Sequence, residues 1–396
     1  MTVAETLKPE VLHLFNSFEQ GGTERQTLQL ARLLTESGRY RVRLACLNRE
    51  GVLRAEAEAL GTGSIEEYRL TSFRDANFVA QARRLARRLR EEKITVVHAH
   101  DFYTNVFGMT AAWLARTPAR VASKRDIAGF RTPAQNFVER CAFRLARRVV
   151  VNSEAVRAFL VEGGVPSRKI VTLYNGLDPR RVEPPAGFKA EEARASLGLP
   201  AARPLVVIVA NLQHEVKDHR MFLRAARRVK ESCADAAFVL AGEGRLLEPL
   251  RELATELGLA DDVFFTGRCA RVAELLAVSS VCVLASKAEG FSNSILEYMA
   301  ARRPVVVTDV GGAREAVEEG FSGFIIPPGD DASLAERVTL LLKDQELARS
   351  MGERGRRAVE ERFSCAAQLA GVESLYAQLL AGRAQYSLKG VRDSAV

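Results

Sequence analysis

Short apolar runs separated by amphipathic stretches recur along the whole chain. Val11-Leu12-His13-Leu14-Phe15 is the first. Val42 to Leu47, Ile94 to His100, Arg120 to Ser123, Arg148 to Ser153 and Ile170 to Tyr174 follow. Runs this short, rich in Val and Ile, predict buried strands. Between them, Glu24 to Glu36, Phe78 to Glu92, Pro133 to Arg147 and Glu154 to Val161 have helical spacing. Strands alternating with helices need crossover connections, so a parallel sheet covered by helices is expected. After Asn175-Gly176-Leu177-Asp178-Pro179 comes a stretch containing Pro, Ala and Gly, which predicts a linker over 181–204. The pattern restarts at Leu205 to Ala210. It continues through Ala237 to Ala241, Val263 to Phe265, Val281 to Leu284, Val305 to Thr308 and Gly323 to Ile326. The chain is predicted as α/β, with two doubly wound domains over 1–180 and 205–365 and a helix and tail over 366–396. The tail is expected to be helical from Ala332 and frayed beyond about Gly382. Ligands of open parallel sheets bind outside the C-terminal ends of the strands, so a cleft lined by those loops is the expected site.

Composition narrows the class. No apolar run approaches the roughly 18–20 residues that span a bilayer. The N-terminal residues lack the basic and apolar regions of a signal peptide, so the expected location is the cytoplasm. Six cysteines occur with no C-x-x-C pair, which argues against a metal site or a disulfide framework. Charge is unevenly shared. Residues 1–180 hold 29 Lys and Arg against 19 Asp and Glu, a net of +10, whereas the remainder holds 28 against 30. The excess concentrates in Arg83, Arg84, Arg87, Arg88 and Arg90 and in Arg144, Arg147 and Arg148. A basic helix with interleaved Leu and Ala suits an anionic membrane surface or an acidic acceptor, and equally a solvated face lying on a sheet. Nucleic acid is not an expected partner. No interleaved aromatics, helix-turn-helix pattern or zinc-finger spacing accompanies the charge.

The candidate chemistry lies in loops after strands. Glu289 and Glu297 sit eight positions apart in Ala288-Glu289-Gly290-Phe291-Ser292-Asn293-Ser294-Ile295-Leu296-Glu297. The strand Val281 to Ala285 precedes them and a helix from Ile295 to Ala301 follows, with Ser292, Asn293 and Ser294 as caps. A polar loop entering a helix N-terminus favours an anion such as phosphate. Two carboxylates so placed can accept hydrogen bonds from two sets of hydroxyls, such as the hexose and ribose of a nucleotide-sugar. Gly21-Gly22-Thr23-Glu24 opens the first helix and lets a ligand approach the backbone. It is not G-x-G-x-x-G, so the dinucleotide fingerprint of an NAD-linked oxidoreductase is absent, as is a P-loop. Lys217, after the first strand of the second domain, can neutralise a departing diphosphate. His98 and His100 share one strand face. A metal there would need a third ligand that the sequence does not make evident, so none is expected. Lys124-Arg125-Asp126 follows a strand and can reach an acceptor or its phosphate, and Asn175-Gly176 reads as a hinge turn.

The segment from Ala288 to Glu297, followed by Arg303-Pro304-Val305-Val306-Val307-Thr308-Asp309-Val310-Gly311-Gly312, resembles the E-x7-E signature of retaining glycosyltransferases of the GT-B architecture. The similarity is to family 4, which includes many enzymes of bacterial polysaccharide and lipid-glycan synthesis. Val97-His98-Ala99-His100-Asp101, Asn175-Gly176-Leu177-Asp178 and Glu315 extend it over nearly the whole chain. The resemblance implies two Rossmann-like domains facing a cleft, the acceptor on the first and the donor on the second, with the last helix crossing back. It implies that Glu289 positions the hexose, that Glu297 holds the ribose, and that Lys217 meets the diphosphate. Ser292, Asn293 and Ser294 complete that loop. His100 would border the transferred sugar, Gly21 and Gly22 the diphosphate and acceptor, and backbone near Gly267 and Arg268 the base. Arg125, Asp126 and Asn175 would lie on the acceptor side. The family usually has Arg six residues before the Lys; here Asn211 stands there, which removes a charge but keeps a hydrogen-bond donor. The implied activity is metal-independent and cofactor-free transfer of a hexosyl group, with retention, from a nucleotide-sugar, most commonly UDP-linked, to a glycan or lipid-linked acceptor. A GT-B nucleotide-sugar epimerase and a non-catalytic nucleotide-sugar-binding protein remain as alternatives.

Overall fold

A computed structural model describes residues 8–127 and 131–392, with side chains as far as 381. The chain divides into two compact units, 1–176 with 365–396, and 177–364. In the first, strands β1 (Glu10–Phe15), β2 (Arg41–Cys46), β3 (Glu66–Glu67), β4 (Val96–Ala99), β5 (Ala119–Lys124), β6 (Arg148–Val151) and β7 (Ile170–Thr172) form one sheet. Their order is β3-β2-β1-β4-β5-β6-β7 and the pairings are parallel. In the second, β8 (Leu205–Val209), β9 (Ala237–Ala241), β10 (Val263–Gly267), β11 (Val281–Leu284), β12 (Val305–Thr308) and β13 (Phe324–Ile326) form a parallel sheet in the order β10-β9-β8-β11-β12-β13. Both are Rossmann-like, and each reverses its strand order once, between β1 and β4 and between β8 and β11.

Helices cover both faces of the first sheet, which is why its strands read as nearly continuous apolar runs. Leu12 and Leu14 of β1 pack towards the helices Ala76–Glu91 and Phe102–Leu114. Val11 and Phe15 pack on the other side with Leu28 and Leu34, and with Val372, Leu375 and Tyr376 of the helix Cys365–Arg392. The period of two places His13 on this second face, fully buried.

The helix Phe102–Leu114 has no counterpart among the sequence expectations. It is apolar on nearly all sides and buries nine of its residues, Phe102, Val106, Phe107 and Met109 among them, so it lacks the amphipathic period that reveals a surface helix. Asp101 starts it, accepting from Tyr103 N and Thr104 N at 2.8 and 3.1 Å. The two-residue strand β3 was too short to read. Residues 181–204 contain the helix Ala190–Ser196, and Val182, Ala193 and Leu199 are buried there. The C-terminal helix continues to Arg392; the rest of the segment expected to fray lies outside the described residues. Among the described residues no helix is long and apolar enough to cross a membrane.

Candidate functional site

In the second unit the candidate residues gather where the strand order reverses. The loop after β8 carries Asn211 and Lys217, and the loop after β11 carries Glu289. Lys217 Nζ lies 2.6 Å from Glu289 Oε1, and Ser286 Oγ donates to the same oxygen at 2.7 Å. The two loops are tied by Lys287 N to Val216 O at 2.7 Å. Thr308 Oγ1 at the end of β12 donates to Ser286 O at 2.7 Å. Gly311 has φ +54, and a Cβ there would overlap the carbonyls of Glu289 and Gly290. Gly312 N donates to Gly290 O at 2.9 Å, so the Gly-Gly pair clamps the glutamate loop. Asp218 follows Lys217 in the left-handed region, φ 44 and ψ 49, and caps the helix His219–Ser232 through Met221 N at 3.2 Å. A non-glycine residue held there stores strain beside the site. His219, next along, is buried and its pKa is held down at about 4 by that burial and then by Lys217.

Glu297 is half-buried one turn into the helix Asn293–Ala300. The expected capping differs in detail. Ser292 occupies the cap position without a side-chain capping bond. Ser294 Oγ instead donates to Val209 O at 3.1 Å, which ties the helix start to the end of β8. Asn211 is exposed and its Oδ1 accepts from Gln213 N at 3.3 Å. Gly267 closes β10 with φ +62, and exposed Arg268 follows it, two strands from β8. Ser286 and Thr308 were not foreseen, because small hydroxyl residues in a loop and a strand carry no pattern of their own.

In the first unit the reversal between β1 and β4 holds a buried histidine trio. His13 pairs in register with His98 across the two strands. His13 Nδ1 and His100 Nε2 are 2.9 Å apart, and the His98 and His100 rings stack with centroids 4.2 Å apart. This corrects the expectation that no third ligand accompanies His98 and His100: the three offer ring nitrogens within 4.8 Å of one another. Both nitrogens of His98 are engaged, with Tyr376 Oη at 2.7 Å and Ser123 Oγ at 2.9 Å. Burial holds His13 down at about 3, with the Arg125 charge acting in the same sense. Burial, and then the neighbouring histidines and Arg125, hold His98 and His100 well below the ordinary histidine range. Neutral imidazoles are the form that a dry interior accepts. The sequence signal for His13 was a single polar residue inside an apolar run, and only strand pairing tells what it faces.

Around this trio, Gly21 and Gly22 start the helix Gly22–Glu36 without a side-chain cap. Burial raises the pKa of Asp101 to about 6 against the N–H bonds that favour its carboxylate. Arg125 Nη1 donates to Asn175 Oδ1 at 2.7 Å. Gln26 and Gln29 donate to Gly176 O at 3.0 and 2.8 Å, which fixes the expected hinge turn against the first helix. Asp126, with its side chain half exposed, is ion-paired to Lys124 and Arg131 at 2.7 and 3.1 Å.

A cavity of about 700 Å³ in the second unit lies away from these residues, against Pro204, Asp235 and Ser280 at the starts of β8, β9 and β11. Its arginines are committed to structure. Arg194 donates to the carbonyls of Pro200, Arg203 and Val278, and Arg203 to those of Asp235 and Ala236.

Known proteins match both units. Residues 20–181 match the model of Glycosyltransferase Family 4, and residues 189–358 that of Glycosyl transferases group 1. N-acetyl-alpha-D-glucosaminyl L-malate synthase of Bacillus anthracis is 32% identical over 217 residues, 54% of this chain and 55% of that enzyme. The chain thus spans about half the length of that relative. The Escherichia coli UDP-Gal:alpha-D-GlcNAc-diphosphoundecaprenol alpha-1,3-galactosyltransferase is 26% identical, with 74% of this chain and 78% of that enzyme aligned. Among solved structures, Anabaena HepE in complex with UDP superposes with a TM-score of 0.83 at 21% identity, covering 93% of this chain and 100% of that one.

Proposed function

We propose, from the premise that this chain belongs to the family 4, group 1 glycosyltransferases, that it transfers a hexosyl group from a nucleotide-sugar to a glycan or lipid-linked acceptor with retention at the anomeric carbon. The observation that carries the reading is the pairing of Lys217 with Glu289 at 2.6 Å on two loops at one strand-order reversal. A diphosphate beside Lys217 would gain charge as it leaves, and the ammonium would meet that charge. Lys217 would then exchange Glu289 for phosphate, which releases the carboxylate to accept from hexose hydroxyls and to face positive charge developing at the anomeric carbon. Glu297 is proposed to hold the ribose hydroxyls. Asn211, Ser292, Asn293 and Ser294 would complete the phosphate and sugar contacts, and Gly267 and Arg268 would border the base. UDP is the proposed nucleotide, and the UDP complex of Anabaena HepE is consistent with it.

In the first unit we assign Arg125 and Asn175 to the acceptor, Gly21 and Gly22 to the border of the donor diphosphate and the acceptor, and His100 to the transferred sugar. His100 Nδ1 is the ring nitrogen without a hydrogen-bond partner among the described residues, so it is the one proposed to meet the sugar. The acceptor hydroxyl would attack from the face that the diphosphate leaves, with the leaving oxygen taking its proton, so no side chain need act as a nucleophile. Catalysis is then positioning and charge stabilisation. No resident metal or cofactor enters this scheme. The diphosphoundecaprenol-linked substrate in the name of the Escherichia coli relative supports a lipid-linked acceptor. A cytoplasmic location at the membrane face follows from that choice. Exposed Arg83, Arg87 and Arg90 beside exposed Trp113 and Leu114 are the proposed contact surface.

The test is release of nucleoside diphosphate from a panel of nucleotide-sugars with a lipid-linked acceptor pool, with and without EDTA. Acceptor-dependent release that survives chelation is expected. Tight donor binding with no release would return the chain to the non-catalytic alternative, which the uncharged Asn211 favours. Release abolished by EDTA and restored by magnesium would overturn the phosphate-binding scheme.

A further inference from the structure

The charged groups at the end of β5 are not equivalent. Lys124 lies 2.7 Å from Asp126 and 3.3 Å from Glu139, and Arg131 lies 2.5 Å from Glu139 and 3.1 Å from Asp126. These two cations and two carboxylates neutralise one another. Arg125, between them in sequence, forms no ion pair among the described residues. Its Nη1 donates to Asn175, while among the described residues its Nε, shut off from solvent, has no hydrogen-bond partner and Nη2 has none either. The charge of Glu24 acts on it through space. That carboxylate folds instead over Gly21, where an added Cβ would overlap its Oε2. The planar Nε–Nη2 edge is the side of a guanidinium that matches two oxygens of a phosphate or carboxylate. A buried donor left unpaired costs stability in the absence of a ligand, so each such group calls for an explanation. Asn175 aims this edge by holding the opposite nitrogen, and Asn152 Nδ2 donates to the Arg125 carbonyl at 3.3 Å.

We propose that Arg125 binds an oxyanion of the acceptor, a phosphate or carboxylate group, side-on through Nε and Nη2. The inference rests on the reading of the first unit as the acceptor side and deepens it: the acceptor is acidic, and a neutral glycan end is not its substrate. Lys124 and Asp126, adjacent in sequence, take no part because they are already paired.

The experiment is calorimetric titration of the full chain at constant ionic strength with inorganic phosphate, glycerol 3-phosphate, acetate and glycerol. It is run on the parent, Lys217→Ala, Arg125→Gln and Arg125→Lys. Lys217→Ala removes the proposed donor phosphate contact, so saturable phosphate binding is expected to persist there at one site. Arg125→Gln should weaken that binding by roughly tenfold or more, and Arg125→Lys should fall between, since it keeps charge and loses the fork. The arm that binds most tightly identifies phosphate or carboxylate, and glycerol should not bind. Equal affinity in Arg125→Gln and the parent, or no saturable anion binding in Lys217→Ala, overturns the inference. If Arg125→Gln does not fold, unchanged affinity in Arg125→Lys overturns the side-on contact. UDP binding by the same proteins is read separately. Loss of UDP binding in the parent would remove the transferase reading, whereas intact UDP binding with no Arg125-dependent anion removes this inference alone.

Discussion

Mild acid should destabilise the first unit through its buried histidines, and His13→Asn should remove a defined part of that effect. His13 is fully buried and its pKa is held down at about 3, against an ordinary value of 6.5. Between those values the unfolded chain binds a proton that the folded chain refuses. The unfolded state therefore holds more protons, and stability rises with pH across the window. The contribution is complete above about pH 7 and declines as the pH falls towards 3. Each pH unit inside the window is worth about 1.4 kcal/mol per histidine, so His13 alone should cost about 2 kcal/mol on going from pH 7 to pH 5. Full burial means that solvent screening does not reduce this figure. His98 and His100 are shifted in the same direction by burial, by each other and by Arg125, and should steepen the decline. The chain has a single tryptophan, Trp113, in the first unit, so its fluorescence can follow urea unfolding of that unit at pH 5, 6 and 7. His13→Asn should show a slope of stability against pH shallower by about 1 kcal/mol per unit averaged from pH 7 to 5, whatever its absolute stability. Identical slopes in mutant and parent, or a parent whose stability is flat from pH 7 to 5, would refute the reasoning.

Lys217→Ala should lower turnover at saturating donor by about a hundredfold, near 3 kcal/mol, because the proposed contact would strengthen as the diphosphate departs. Parental turnover in that protein would put Lys217 outside the site. Glu297→Ala should weaken UDP binding by about 1–3 kcal/mol and slow bound turnover less, since a ribose contact is alike in ground and transition states. An unchanged dissociation constant for UDP would remove the ribose assignment. The vesicle test should use Arg83→Glu with Arg87→Glu. Arg84 and Arg88 are tied to Glu66, and Arg88 also to Glu92 at 2.8 Å, so charge reversal there would disturb the fold. Sedimentation with anionic vesicles at low salt should drop, because each exposed cation near such a surface contributes about 1 kcal/mol. Equal sedimentation would make that helix face merely solvated.

Element type and the loop that carries the two glutamates were legible because both are local. Apolar runs and helical spacing repeat within a few residues, so the strands from Val11 to Ile326 and the loop around Glu289 and Glu297 could be read directly. The helix Phe102–Leu114 escaped because a segment buried on nearly all sides has no polar face to mark its period. Strand order and register were left open by the sequence. Those decide that His13, 87 positions before His100, becomes its hydrogen-bond partner. They also bring Lys217 to Glu289 across 72 positions, and Arg125 to Asn175 across 50. The same holds for what each charge is worth. Lys124, Arg125 and Asp126 are three polar neighbours in the sequence, and only packing shows that two form ion pairs while the third keeps its bidentate edge unpaired among the described residues. Local chemistry determines what a segment can become. Which groups end up sharing one dry, low-dielectric environment is a property of the assembled sheet, because the partners come from strands far apart in the chain.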